Sequence, residues 1–282
     1  MQFHQSTAEV FVPDNLPAEQ ALKRTTHLAI GAHPDDLEIM AAWPILECFQ
    51  QDEKWFTGVV LTDGRGSPRG GIYKDYSNDE MRMMRLSEQK KAAVIGGYAA
   101  MIWLDYPSEV IKERVAREPI KDISEILQIT NPQYVFTHNL ADKHDTHVST
   151  ALRVISAILD LPEAQRPKKL FGCESWRDLD WMVDTDKVIF DLSTHENLQA
   201  ELLGCFESQI YGGKRYDLAN LGRRRANATY LEPGKVDFST GLSFAMNLTE
   251  LIHSPQKGIT QLMIEHIERF EQDVINRLIR FS

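Results

Sequence analysis

His33-Pro34-Asp35-Asp36-Leu37-Glu38 gathers one imidazole and three carboxylates into six residues. The segment follows an apolar run, Leu28-Ala29-Ile30-Gly31-Ala32, and leads into a helix-like stretch from Ile39 to Phe49. A second cluster, His144-Asp145-Thr146-His147, comes after the apolar Tyr134-Val135-Phe136. Zinc takes such nitrogen and oxygen donors at about 2.0–2.2 Å, and a catalytic zinc keeps three protein ligands and an open position for water. A proline-containing turn can bring His33 and Asp36 to one point, and one imidazole of the second cluster can supply the third ligand. The other imidazole is then left at the open side. Asp35 and Asp36 are adjacent like charges, which repel unless a cation sits beside them. A plainer alternative exists for each cluster. Asp35 and Glu38, three residues apart, match a helix N-cap with its capping-box partner, and a lone HxxH can be an ordinary helix start. A cap accounts for neither His33 nor the second acid. Both clusters, moreover, follow predicted strands.

The elements that must position these residues are readable as a rhythm. Short β-rich runs at 27–33, 55–62, 99–105 and 133–138 alternate with helical spacing at 36–51, 78–95, 119–130 and 145–160. Strands alternating with helices predict βαβ units and a parallel sheet covered on both faces. The fold class is therefore α/β, a Rossmann-like three-layer arrangement with a mostly parallel central sheet. In such sheets ligands bind at the carboxyl edge of the strands, where both clusters fall. Lys169 to Cys173 is a candidate fifth strand, and Val188-Ile189-Phe190 a candidate edge strand. The expected organisation is a surface segment over 1–25, a catalytic core over 26–193, and a mainly helical extension over 194–282 packed on that core. Its last segment, 259–281, has apolar residues at Ile259, Leu262, Met263, Ile267, Phe270, Val274, Leu278 and Phe281, the spacing of an amphipathic helix lying on the body.

The connection after the second strand stands out. Asp63-Gly64-Arg65-Gly66-Ser67-Pro68-Arg69-Gly70-Gly71 holds four glycines and a proline and leaves the same sheet edge as His33. A loop there is expected to form a wall or lid of the site. Arg65 and Arg69 on it, together with Arg223-Arg224-Arg225, could contact sugar hydroxyls or an anionic group. For the three consecutive arginines a solvated helical face is the simpler expectation. Glu174 and Trp176, at the end of the fifth strand, could line the pocket.

Composition narrows the partners. The 282 residues carry a formal net charge of −10, which disfavours nucleic acid and anionic membrane surfaces. Cys48, Cys173 and Cys205 form no CxxC and lie among apolar neighbours, so they read as small core residues in a reducing compartment. The N-terminus has no basic stretch followed by an apolar one, and no run approaches the roughly 18 apolar residues of a membrane span. A cytoplasmic protein is expected, with a homo-oligomer left open.

These motifs resemble those of the LmbE/PIG-L family of zinc-dependent N-deacetylases. Ala32 to Glu38 matches A-H-P-D-D-x-E without a gap, and His144 to His147 is similar to its H-P-D-H element, with Asp-Thr in place of Pro-Asp. Arg85-Leu86-Ser87-Glu88, followed by Lys91 to Gly97, matches an R-x-x-E before an alanine-rich helix. Thr62-Asp63-Gly64-Arg65-Gly66 resembles a T-x-G-x-x-G turn with its final glycine displaced by one. The likeness spans about residues 26–160. It implies His33, Asp36 and His147 as zinc ligands, Asp35 as general base, His144 facing the oxyanion, and Arg85 as a substrate-binding residue. It further implies an N-acetylglucosaminyl-type substrate deacetylated by metal-activated water. Iron or cobalt could replace zinc at a site of mixed donors. The same chemistry on a thiol-sugar conjugate or another acylated amine is an alternative. A non-catalytic sugar- or nucleotide-binding protein would instead want a glycine-rich phosphate turn after the first strand, where this chain has carboxylates. A phosphoesterase would more readily want a second metal.

Overall fold

A computed structural model describes residues 2–254, 256 and 258–282. Its strands are β1 (Glu9–Phe11), β2 (His27–Gly31), β3 (Phe56–Thr62), β4 (Ala100–Tyr106), β5 (Tyr134–His138), β6 (Lys169–Cys173), β7 (Lys187–Asp191) and β8 (Leu242–Asn247). The helices are α1 (Ala18–Lys23), α2 (Asp36–Met40), α3 (Ala42–Cys48), α4 (Asn78–Ile95), α5 (Ser108–Lys112) and α6 (Glu118–Thr130). They continue with α7 (Asp145–Leu159), α8 (Glu196–Gly204), α9 (Glu207–Ile210), α10 (Tyr216–Tyr230), α11 (Thr249–His253) and α12 (Ile259–Phe281).

All eight strands form one sheet in the order β1-β4-β3-β2-β5-β6-β8-β7. The run β4-β3-β2-β5-β6 is parallel, and β1, β8 and β7 join through antiparallel pairs. The order in which strands are added reverses between β2 and β5, parallel neighbours that pair His27 with Tyr134 and Ala29 with Phe136. That is the switch point where an open sheet leaves a crevice at its carboxyl edge. Both histidine-containing clusters lie just past it.

Side chains alternate between two cores. Leu28, Ile30, Val59 and Leu61 face α6 and α7, which contribute Ile123, Ile126, Val154 and Ile158. Ala29, Val60, Trp103 and Phe136 face Leu37, Ile45, Ala92 and Leu202 from the helices on the other side. Burial on both faces explains why the central strands read as continuous apolar runs.

Three features differ from the sequence expectations. The helix expected over 36–51 breaks at Ala41, leaving α2 and α3. Pro44 has no N–H to bond the Met40 carbonyl, so the helix cannot run through. Beyond residue 193 the chain is mostly helical, yet β8 inserts between β6 and β7, so this region is joined to the core through the sheet itself. Finally, α12 touches the body through Leu262 and His266, while Ile267, Phe270, Val274, Leu278 and Phe281 stay exposed at 53%, 40%, 39%, 65% and 80%. Only its first turns cover the core.

The consecutive arginines divide: Arg224 is buried, Arg223 half-buried and Arg225 exposed, so the solvated face expected of the run holds for only part of it. Arg224 is buried and donates to Glu38 O at 2.8 Å and Gln199 Oε1 at 3.0 Å, tying α10 to α2 and α8. Arg223 bonds the Ser175 carbonyl, and Arg225 pairs with Asp237 at 3.2 Å. Glu174 sits beneath them rather than in the pocket. It accepts from Asn227 Nδ2 at 2.7 Å, Phe244 N at 3.1 Å and Leu179 N at 3.3 Å.

Burial pushes the Glu174 carboxyl from 4.5 up to about 7, against the lowering effect of those hydrogen bonds and of Arg223. A raised carboxyl pKa means that ionisation costs the folded state. The Glu174 contribution is therefore most favourable below pH 4.5 and declines as pH rises toward 7, by up to about 3 kcal/mol. Glu174→Gln should flatten that slope. Thermal unfolding at pH 5 and pH 8 is the measurement, and equal pH dependence in the two proteins would refute the assignment.

Candidate metal centre

Past β2 the chain turns sharply. Asp35 adopts a left-handed conformation, φ 84°, and Asp36 opens α2. The His33 amide donates to Asp36 Oδ2 at 2.6 Å, which folds the imidazole back so that its Nδ1 lies 3.2 Å from the same oxygen. The capping-box alternative fails here. Asp35 makes no side-chain cap, and Glu38 is buried, accepting from Gln89 Nε2 at 2.7 Å and Tyr98 OH at 2.6 Å. Burial pushes Glu38 up to about 8, so at neutral pH it is mostly protonated.

The second cluster arrives from the other side of the switch point. His144 precedes α7, and His147 lies in its first turn, fully buried. His147 Nε2 is 3.2 Å from His33 Nδ1 and 3.3 Å from Asp36 Oδ1. The two imidazole nitrogens thus lie 3.2 Å apart, and each is 3.2–3.3 Å from a different oxygen of Asp36. Donors on a tetrahedron with bonds of about 2.0–2.1 Å would be about 3.3 Å apart. The residues present therefore fit a divalent ion, and their chemistry, two imidazoles and a carboxylate, is that of zinc.

His138, at the end of β5, is a neighbour that the sequence reading did not single out. It stacks on His147 with ring centroids 3.8 Å apart, and its Nε2 lies 3.3 Å from Asp36 Oδ2. Two groups have metal-ligand spacing among the described residues: Asp36 with His138 and His147, and His33 with His144 and His147. The Ala32 amide donates to His138 Nε2 at 3.0 Å, which engages that lone pair.

Asp142 was also not foreseen. It accepts from the His144 amide at 2.9 Å and the Trp176 amide at 3.1 Å, and its Oδ2 lies 3.5 Å from His147 Nδ1. An acid facing the far nitrogen of a ligand histidine favours the tautomer whose near nitrogen is free for metal. Asp142 thus stands in for the acid missing at Thr146.

Asp35 belongs to a different network. Arg85 Nη2 donates to it at 2.8 Å and also bonds the Pro34 carbonyl. Arg85 Nη1 donates to Glu88 at 3.0 Å, and Glu88 accepts from Ser208 N at 2.6 Å and Ser208 Oγ at 2.8 Å. Arg85 is buried and committed to these partners while lining the pocket, so its placement is that of a clamp on Asp35. Burial raises Asp35 to about 6, opposed by Arg85 and reinforced by Asp36. Burial likewise raises Asp36, but His147 and His138 outweigh it and hold the carboxyl well below its ordinary value. One aspartate is poised to take a proton. The other stays ionised. His144 is lowered by burial and then by His33, so its imidazole is neutral at pH 7.

A pocket of about 460 Å³ opens over these groups. His33, Asp35, Asp36 and His144 form its floor, and Gly64, Gly66, Ser67 and Pro68 supply the wall expected of the glycine-rich loop. That loop rests on the chain beyond residue 193: a Cβ on Gly70 would lie 2.7 Å from the Gly212 carbonyl oxygen. Trp176, Gln209, Lys214 and Tyr216 complete the opposite side. Arg65 and Arg69 are not among the lining residues. Arg65 pairs with Asp63 at 2.6 Å, and Arg69 bonds Asn78 at 2.7 Å, which turns both away.

Residues 28–158, somewhat under half of the chain, match the family described as PIG-L, GlcNAc-PI de-N-acetylase. The activity in that description, de-N-acetylation, is the hydrolysis of an amide. Among solved structures, N,N'-diacetylchitobiose deacetylase from Pyrococcus horikoshii is similar at 20% identity and TM-score 0.59, covering 78% of this chain and 83% of that one. The A40926 pseudoaglycone deacetylase matches at 16% identity and TM-score 0.56, over 79% and 97% of the two chains. A 4-carboxy-2-hydroxymuconate hydratase from Pseudomonas putida matches at 16% identity and TM-score 0.61, over 79% and 96%. Likeness at these identities establishes the fold, which hosts more than one chemistry. No curated protein matches the sequence. Among the described residues no helix is long and apolar enough to cross a membrane.

Metal binding by variants distinguishes His33, Asp36 and His147 as ligands from the group that includes His138. In zinc titration of chelator-treated protein, His33→Ala, Asp36→Ala and His147→Ala should each lose tight binding, and His138→Ala should keep it. Asp142→Ala should weaken binding about 10- to 100-fold. Loss in His138→Ala with retention in His33→Ala would assign the ion to the other group.

Proposed function

We propose that this protein is a zinc-dependent hydrolase that removes the acetyl group from an N-acetylated amino sugar, with His33, Asp36 and His147 as ligands and Asp35 as general base. The observation that carries the reading is the convergence of the His33 and His147 imidazole nitrogens with the two Asp36 oxygens, at 3.2–3.3 Å, beside a pocket lined by a further carboxylate, Asp35. The match to a de-N-acetylase family supports the choice of an amide over other carbonyl substrates.

A bound divalent ion supplies Lewis acidity, polarising a carbonyl oxygen and lowering the pKa of water from 15.7 toward about 7. The remaining work falls to the chain's own groups. Asp35, held by Arg85 and by the Gln89 side chain on its amide at 3.2 Å, takes the proton from the attacking water and returns it to the departing amine nitrogen. Its left-handed backbone aims the carboxylate away from Asp36, so that base and ligand do not compete for one position. His144 donates an N–H to the oxygen that gains charge as the acyl carbon becomes tetrahedral. Being neutral, it acts as a hydrogen-bond donor rather than as a counter-charge. Removal of such a donor typically lowers rate about 10²–10³-fold. Trp176 and Tyr216 offer ring faces and edges to a sugar.

Amine release from a panel of N-acetylated sugars, with and without chelator, tests the activity. Asp35→Asn should lower kcat by about 10²–10⁴-fold while zinc content stays at the wild-type level. If Asp35→Asn instead releases the ion, ligand and base have been exchanged. If no acetamide in the panel is cleaved by the zinc-loaded protein, the proposed reaction is wrong.

A further inference from the structure

The start of α12 is anchored and the rest is not. Leu262 and His266 are buried, His266 Nδ1 lies 3.0 Å from Asp186 Oδ2, and Arg269 pairs with the same carboxylate. The Phe270 ring meets Trp181 edge-on at 6.3 Å. Beyond Phe270 the side-chain hydrogen bonds among the described residues stay within the helix, from Gln272 Nε2 to Asn276 at 2.8 Å and from Arg277 to Asp273 at 3.0 Å. The apolar side chains nevertheless continue. Ile267, Phe270, Val274, Leu278 and Phe281 recur at spacings of three and four, so they share one stripe. Val274, Leu278 and Phe281 line an open groove of about 520 Å³ on it. A contiguous exposed apolar stripe marks an interaction surface.

The charges on this helix specify the occupant. Acidic side chains precede Val274, at Glu268, Glu271 and Asp273, and basic ones follow it, at Arg277 and Arg280. Arg269, the cation in the acidic half, is already taken by Asp186. The apolar positions are spaced evenly about the same centre: Phe270 and Leu278 lie four residues out, and Ile267 and Phe281 seven. Such a segment is complementary to its own reverse. Arg277 and Asp273 are both exposed, so their contact is weak and leaves Arg277 open to another partner.

We propose that the exposed face of α12 binds a second copy of this chain, the two helices lying antiparallel about a two-fold axis at Val274. The acidic half of each helix then lies beside the basic half of the other, at both ends of the seam. Phe270 of one copy meets Leu278 of the other, Ile267 meets Phe281, and the two Val274 side chains meet at the axis. A parallel pair in register would set acid against acid and base against base. Contacts in which residue i meets j and j meets i are those of a two-fold dimer, and flanking charges set orientation between paired helices. No residue of α12 lines the pocket, so this surface is independent of the proposed reaction. Residues 267–281 span about 22 Å as a helix, a small seam beside the roughly 1,200–2,000 Å² of a stable interface. The dimer therefore exchanges with monomer.

Sedimentation velocity of the full chain tests this. Wild-type protein should be monomeric near about 1 μM and mostly dimeric near about 100 μM. Glu268→Lys/Glu271→Lys and Arg277→Glu/Arg280→Glu should each stay monomeric with wild-type circular dichroism, and mixing the two variants should restore the dimer. Orientation is read by disulfide formation, since the three native thiols are buried. Ile267→Cys mixed with Phe281→Cys should join one variant to the other. Ile267→Cys joined only to itself would mean a parallel pair and overturn the proposal. A wild-type chain that is monomeric throughout, or charge variants that dimerise as it does, would overturn it too. Monomeric wild-type protein that floats with phosphatidylserine vesicles would assign the face to a lipid surface instead.

Discussion

Two neighbouring carboxylates, both buried, must point different ways for the site to exist. A single left-handed residue achieves this at Asp35. Its carboxylate goes to Arg85, and that of Asp36 goes to the histidines. Were both to share one direction, burial and mutual repulsion would drive one to neutrality and remove a ligand or a base. The strain of a positive φ at a residue with a side chain costs of order 1 kcal/mol or more and persists only where surrounding contacts enforce it. Here the contacts come from three directions: α4 through Arg85 and Gln89, β5 through His138, and α7 through His147.

The chain beyond residue 193 takes part in that enforcement. Ser208 fixes Glu88, Glu88 fixes Arg85, and Arg85 fixes Asp35, so a helix remote in sequence sets the orientation of the proposed base. The same region meets the glycine-rich wall where Gly70 and Gly212 touch. Arg224, buried under α2, adds a third link by bonding the carbonyls of Glu38 and Ile39. The switch-point crevice is generic to open sheets. Here it is closed on one side by the chain beyond residue 193.

Much of this was legible in the sequence, and the reasons are physical. The parallel strands announce themselves because burial on both faces demands unbroken apolar runs. The antiparallel strands β1 and β8 do not: β1 has three residues, and β8 follows a long helical stretch without the strand-helix rhythm. His33, Asp36 and His147 could be singled out because they lie where strands give way to helices at one edge, and the fold brings them within 3.2–3.3 Å of one another. His138 looked like part of a strand, which it is. Asp142 carried a signal that could have been used, an acid two residues before the first histidine of HxxH, but its geometry depends on a turn. Arginines misled in both places. Arg65 and Arg69 sit on the right loop, yet local acceptors such as Asp63 hold them aside. Arg223 to Arg225 look like a solvated run, yet α10 is held against α2 and β8 through them and their neighbours.

The cysteines carry a consequence of another kind. Cys48, Cys173 and Cys205 are all buried, and burial raises each thiol far above neutrality. None can act as a nucleophile in the native state. Alkylating reagents should therefore label the chain only when it opens. All three belong to the one core that also holds Leu37, Ile45, Ala92 and Leu202. Their labelling would therefore report the opening of that face of the sheet and leave the core under α6 and α7 silent.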